Sequence, residues 1–256
     1  MWRFAAAGVV GSSHLKLGMP CQDQLACAVL LDGTLVAAVA DGAGSSKSAE
    51  KGAQVAVDVV MRSVSTGVES GRTDFAAMLT EAAEQARKEI VAVAHEHRVE
   101  IRELASTLLA VVIGPAGGAA YHIGDGVIVA RTEAGAWGCV FWPQHGEYAN
   151  TTCFLTDEDA ASRKQVESFT GRVVDIALMS DGLESLALHH ATKSVHQPFF
   201  NGMFEPLRQV GGNNEIPALS TELSKFLESE RVRSRTDDDI SLILATRAVT
   251  TNLSCP

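Results

Sequence analysis

The sequence predicts an α+β fold, a β-sandwich of two antiparallel sheets flanked by α-helices in an α-β-β-α stack. Three observations predict it. Short apolar runs of strand length are joined by tight turns, which suits antiparallel pairing because parallel strands need long crossovers. Two longer stretches carry apolar residues at helical spacing. The order runs strands, two helices, strands, helices and a final strand, so each helical block has a sheet face to cover.

Trp2 to Val10 reads as the opening strand, followed by a polar loop from Gly11 to Gln24 that holds His14, Lys16 and Asp23. Leu25 to Leu31 is a second strand, Asp32-Gly33 a hairpin turn, and Leu35 to Ala40 a short buried strand. A helix begins at Ser48 and runs to about Ser65, with Ala53, Ala56, Val57, Val60 and Val64 on one face. Asp74 starts another, its side chain expected as N-cap, with Phe75, Met78, Leu79, Ala82, Ala86, Ile90 and Val93 in its stripe. Both stripes are expected to be core. Strand patterning returns after residue 104, in Ala105 to Ile113, Ala119 to Ile123, Val127 to Arg131, Trp137 to Phe141 and Val173 to Met179. Helical or irregular segments then run to about Arg231, interrupted by Pro198, Pro206 and Pro217, before a last strand from Ile240 to Thr246. No repeat or linker divides residues 1–256, so one domain is expected.

Composition narrows the function. Hydrophobic residues make up 46% of the chain, enough for a sizeable core. A net charge of −10 argues against general binding to nucleic acid or an anionic membrane, which demand clustered Lys and Arg, and suits divalent cations. Trp137 and Trp142 are spaced too loosely for a base-stacking platform. The five cysteines, at 21, 27, 139, 153 and 255, show no zinc spacing and read as thiols of a reducing cytosol. With no signal-peptide core and no membrane-length run, a soluble, cytoplasmic protein is expected. His189, His190 and His196 read as surface or packing residues, the mixed-sign run Glu228 to Arg235 as a solvated helix end, and Asp157-Glu-Asp159 as a charged loop.

The informative residues are acids at strand ends. Asp41 follows one apolar strand, in Asp41-Gly-Ala-Gly-Ser45, and Asp181 follows another, in Met179-Ser-Asp-Gly-Leu183. Asp125 sits in a Gly-Asp-Gly turn. Asp23 precedes one strand, and Asp237, Asp238 and Asp239 precede the last. In an antiparallel sheet the end of one strand adjoins the start of its neighbour, so these acids can gather at one edge. Carboxylates so close repel one another unless cations neutralise them, and hard oxygen donors suit Mg²⁺ or Mn²⁺.

The ordered set resembles the metal-dependent protein phosphatases of the 2C type, and most of all a bacterial subgroup with an Asp-Gly-Ala-Gly-Ser motif. Carrying the resemblance are Ser13-His-Leu-Lys16, Cys21-Gln-Asp23, Asp41-Gly-Ala-Gly-Ser45, Gly124-Asp-Gly126, Gly146-Glu-Tyr-Ala-Asn150, Ser180-Asp-Gly-Leu183 and Asp238-Asp-Ile-Ser241. It implies a sandwich with two Mg²⁺ or Mn²⁺ ions at one end. By position, Asp41 would bridge both ions, with the Gly42 carbonyl on one of them. Asp181 and Asp238 would hold the first and Asp23 would serve the second. Asp239 stands where the family usually has Asn, as a partner behind the ligands. Asp125 matches a ligand of a further, weaker ion, whose other usual acid is here Ser185, which leaves a third ion in doubt.

The reaction implied is hydrolysis of phosphoserine or phosphothreonine in a protein substrate by a cation-activated water, in line and without a phosphoenzyme. A cognate Ser/Thr kinase system would be the counterpart, and a monomer is expected. Two departures from the family matter. Its usual phosphate-gripping Arg is missing before Asp23, and Lys16 or His14 is the candidate replacement. Ala43 stands where the common motif has a His suspected of protonating the leaving group, and His14 is the candidate for that role too. Two other readings stay open: a non-catalytic regulatory module that binds phosphopeptides on the same fold, and a metal-dependent hydrolase of another phosphoester.

Overall fold

The computed structural model describes residues 1–44, 46, 48–115, 117–144, 152–169 and 171–247. Ser45, the Gly146 to Asn150 motif and Cys255 lie outside the described residues. Strand β1 (Trp2–Val9) leads through helix α1 (Ser12–Leu17) to the hairpin β2 (Gln24–Val29) and β3 (Leu35–Ala40). Helices α2 (Ala49–Glu69) and α3 (Phe75–His97) follow. Next come β4 (Leu108–Ile113), β5 (Gly118–Ile123), β6 (Val127–Thr132), β7 (Trp137–Phe141), α4 (Ala160–Arg163), β8 (Gln165–Phe169) and β9 (Val173–Met179). The chain closes through α5 (Glu184–Ala187), β10 (Leu188–His189), β11 (Ser194–Val195), α6 (Gln197–Gln209), β12 (Asn214–Glu215), α7 (Pro217–Leu227), α8 (Glu230–Arg233) and β13 (Ile240–Arg247).

Two sheets form the centre, in the orders β2-β3-β4-β5-β8 and β12-β1-β13-β9-β6-β7, while β10 and β11 pair apart. All of these pairs are antiparallel except β1 with β12. The period-2 alternation of strands divides each apolar run between two cores. Leu35, Ala37 and Val39 face inward, against Trp2, Ile176, Leu178 and Ile243 of the other sheet. Val36, Ala38 and Ala40 face outward and pack with Ala56, Val60 and Leu79 of α2 and α3. On the far side, Ala5, Leu242 and Leu244 pack against Phe200, Phe204, Leu223 and Leu227 of α6 and α7. The expected α-β-β-α sandwich is therefore the fold. Among the described residues no helix is long and apolar enough to cross a membrane.

Several local expectations need correction. The polar stretch after β1 contains a helical turn, α1, instead of a continuous loop. Asp74 occupies the N-cap position without a capping bond, because its carboxylate is taken by Arg72 at 2.7 Å. Pro198 and Pro217 lie in the first turns of α6 and α7, where a missing N–H costs nothing. Pro206 lies inside α6, which ends three residues later. Strand β8 carries no clear strand signal in the sequence: it is an edge strand paired only to β5, and most of its residues are at least partly exposed. The strand expected from Ala105 starts at Leu108, because residues 105–107 are used to fasten the loop after β3. Ala43 N–H donates to the Ala105 carbonyl (2.9 Å), and Thr107 N–H donates to the Asp41 carbonyl (2.8 Å).

Candidate metal centre

Strand register brings the acids together. Gln24 pairs with Ala40, so Asp23 and Asp41 are the next residues outward on neighbouring strands. Met179 pairs with both Val127 and Leu242, which sets Asp181 beside the turn holding Asp125 and beside the segment entering β13. All these ends lie at one end of the sandwich. Candidate ligand atoms of Asp41, Asp125 and Asp181 lie within 4.8 Å of one another. They line a cleft of about 410 Å³ together with Gly42, Gly44, Thr152 and Asp238.

The backbone around the cleft is tightly fixed. A Cβ on Gly42 would lie 2.8 Å from the Ala49 backbone, so only glycine lets the loop press against the start of α2. A Cβ on Gly182 would lie 2.4 Å from the Asp239 carbonyl oxygen, so the loops carrying Asp181 and Asp238 touch only because that residue is glycine. Asp41 N–H donates to Thr107 Oγ1 at 2.9 Å. Ser180 Oγ donates to Asp23 Oδ2 at 2.7 Å and accepts from Ser241 N–H at 2.9 Å. The roles of the Thr107 and Ser180 hydroxyls are not visible in the sequence, where Ser180 enters only as part of a motif and Thr107 only as a strand residue.

Not every expected ligand stands in the same place. Asp125, assigned by position to a weaker ion, is in the tight trio with Asp41 and Asp181. Asp238 lines the cleft outside that trio, and its Oδ1 accepts from the Asp239 N–H at 2.8 Å. Asp23 is buried behind Asp41. Asp239 is also buried; it accepts from Gly11 N–H (2.6 Å) and Gln22 N–H (2.6 Å) and pairs with His14 Nδ1 (2.9 Å). His14 is itself buried, and its Nε2 lies 3.8 Å from where a Cβ on Gly44 would be, so the ring borders the cleft-lining loop. Lys16 is exposed on α1 and is not among the residues lining the cleft. The helical turn is the reason: an extended loop would send residues 14 and 16 to one side, whereas a helix separates i and i+2.

Electrostatics marks the site as one built for cations. Burial pushes the Asp23 carboxyl up to about 7, opposed by the Ser180 hydroxyl and reinforced by the Asp239 charge. Burial, then Asp125, Asp238 and Asp23, push Asp181 up to about 8. Asp41 is raised well above the ordinary carboxylate range by burial and by Asp23, Asp181, Asp238 and Asp125. The donor set is all oxygen, and the Oδ1 atoms of Asp23 and Asp181 are buried with no hydrogen-bond partner among the described residues. Hard divalent cations fit that set.

A thermal prediction follows from these shifts. Without metal, the folded protein holds protons on Asp23 and Asp181 that the unfolded chain releases near the ordinary carboxylate value. Stability is therefore fully present below about pH 4 on this account and falls as pH rises toward about 8. Metal binding needs the ionised acids and expels those protons. In scanning fluorimetry the melting temperature in EDTA should drop by several degrees from about pH 5 to about pH 8. The increment given by Mn²⁺ should grow over the same interval. A Mn²⁺ increment independent of pH would show that these carboxyls do not take part.

A family model described as Protein phosphatase 2C matches residues 10–228. Serine/threonine-protein phosphatase 3 of Escherichia coli (strain K12) is 37% identical over 249 residues, covering 95% of this chain and 98% of that protein. The chain belongs to the protein phosphatase 2C family. Solved structures agree on the fold. The Mycobacterium tuberculosis serine/threonine phosphatase PstP/Ppp has a TM-score of 0.66 at 16% identity, covering 97% of this chain and 99% of that one. The PstP catalytic domain in complex with two manganese ions has a TM-score of 0.64 at 18% identity, covering 96% and 97%. As a protein phosphatase 2C, the chain carries its acidic cleft at the end of the sandwich where β3 and β9 finish.

Proposed function

We propose that the chain hydrolyses phosphoserine and phosphothreonine in proteins with two Mg²⁺ or Mn²⁺ ions held by Asp41, Asp181, Asp238, Asp23 and the Gly42 carbonyl. Asp125 is a further ligand. The observation that carries the reading is one cleft lined by acids from both sheets, several of them held far above their ordinary pKa. The manganese complex of the PstP catalytic domain supports the choice of ion. Bound there, such ions neutralise phosphoryl oxygens and make water acidic enough to attack. The chain's own residues fix the rest. Thr107 and Ser180 hold the backbone of the Asp41 loop and the carboxylate of Asp23, so the ligands are set before substrate arrives. Asp239 clamps α1 to the start of β2, which places the His14 ring beside the Asp41-to-Gly44 loop.

The deciding assay is phosphate release from a phosphothreonine peptide in Mn²⁺, in Mg²⁺ and in EDTA. Turnover is expected with either ion and none in EDTA, with recovery when metal is returned. A phosphopeptide that binds without being hydrolysed in any metal would favour the non-catalytic reading. Hydrolysis of a nucleotide or diester, with the peptide untouched, would move the assignment to another phosphoester.

A further inference from the structure

A second, smaller cleft of about 280 Å³ opens beside the acidic one, and Asp181 lines both. Arg235 and Thr236 form one of its walls, and Glu184, Ser185 and His190 the other. The walls differ in charge. Glu184 Oε1 lies 3.1 Å from His190 Nε2, so its carboxylate already has a partner. Arg235 is exposed, and its guanidinium makes no ion pair or hydrogen bond with any described residue. Its backbone is well held: Arg235 N–H donates to the Val232 carbonyl at 2.8 Å, and Asp237 accepts from Ser13 two residues later. A fixed backbone with an uncommitted cation is what an anion reader needs, since less freedom is lost when it binds.

From this arrangement we infer that Arg235 is a specificity-determining residue that selects substrates with an acidic side chain next to the phosphorylated Ser or Thr. The inference rests on the phosphatase reading and adds the substrate class. Arg235 lines the neighbouring cleft and is absent from the lining of the acidic one, so its partner is a flanking carboxylate instead of the reacting phosphate. The chain's net charge of −10 repels an acidic peptide at long range, and Arg235 places a cation in the cleft next to the acidic one. A guanidinium meets a carboxylate with two parallel N–H donors, so the recognition is geometric as well as electrostatic.

The test uses two phosphothreonine peptides identical except that Glu or Lys flanks the phosphorylated residue, assayed with metal-loaded enzyme. The wild-type protein is expected to favour the Glu peptide in kcat/KM by about tenfold, within what one charge pair beside a binding site supplies. The preference should shrink at about 1 M NaCl, where charges are screened beyond a few ångströms. Arg235→Glu should reverse the order, Arg235→Lys should retain much of it, and p-nitrophenyl phosphate turnover should be the same in all three proteins. That last readout separates recognition from damage to the fold or metal site. An unchanged Glu preference in Arg235→Glu overturns the inference. So does an equal loss on both peptides and p-nitrophenyl phosphate, which would place Arg235 on the reacting phosphate. If the wild-type protein hydrolyses neither peptide, the phosphatase reading itself has failed and the inference falls with it.

Discussion

Asp41→Asn should reduce phosphopeptide hydrolysis to background while making the metal-free protein more stable than wild type. Both effects come from the same position. Burial first, and then the charges of Asp23, Asp181, Asp238 and Asp125, hold the Asp41 carboxyl well above the ordinary carboxylate range. A neutral amide of the same shape ends that repulsion, so the melting temperature in EDTA at about pH 8 should rise. The amide also removes the anion that two dications would share, and metal affinity falls with it. The Mn²⁺-induced rise in melting temperature seen in wild type should therefore be lost in the variant. Asp181→Asn should behave alike for the same reasons. Near-wild-type turnover at limiting Mn²⁺ in either variant would remove that residue from the metal set.

His14→Gln should slow a phosphothreonine peptide by about 10²-fold or more while barely changing p-nitrophenyl phosphate turnover. Ala43 stands in the loop after β3 where the resemblance implies a histidine, and His14 Nε2 lies 3.8 Å from where a Cβ on Gly44 would be. Asp239 holds its Nδ1 at 2.9 Å, which fixes the ring and leaves Nε2 on the side of Gly44. A threonine alkoxide leaves badly without a proton, whereas p-nitrophenolate leaves unaided, so only a proton donor separates the two substrates. Equal losses on both, with chemistry limiting each, would reduce His14 to a fastening of α1.

The acids were legible in the sequence because they share one simple rule. Asp41 and Asp181 each end an unbroken apolar run, and Asp23 and Asp238 each precede one, so strand direction alone sends them to one edge. Strands β3, β7 and β9 were read to the residue because each is buried on both faces or closed by a clear turn. The rest depended on partners far along the chain. Nothing near His14 says that Asp239, 225 residues away, will bind its ring and the Gly11 N–H at the head of a helical turn on which Lys16 is exposed. Thr107 reads as a strand residue because its neighbours are apolar, yet its backbone serves the Asp41 loop. Arg235 was hidden in a run of mixed sign that reads as a solvated helix end. Its place beside Asp181 follows only from the pairing of β9 with β13.

The Gly182–Asp239 contact has a mechanical side. Asp23 and Asp41 belong to the ends of β2 and β3, in one sheet, while Asp181 and Asp238 belong to the ends of β9 and β13, in the other. Ions shared among these acids would act as a hasp across the mouth of the sandwich, and the Gly182 contact sets how closely the two ligand loops of one leaf, those of Asp181 and Asp238, lie together. A side chain at that position would prise one pair of ligand loops open by the width of a methyl group. The hydrophobic layers between the sheets would stay shut. The enzyme would then fail as a lock fails when its staple is bent, with the door still sound.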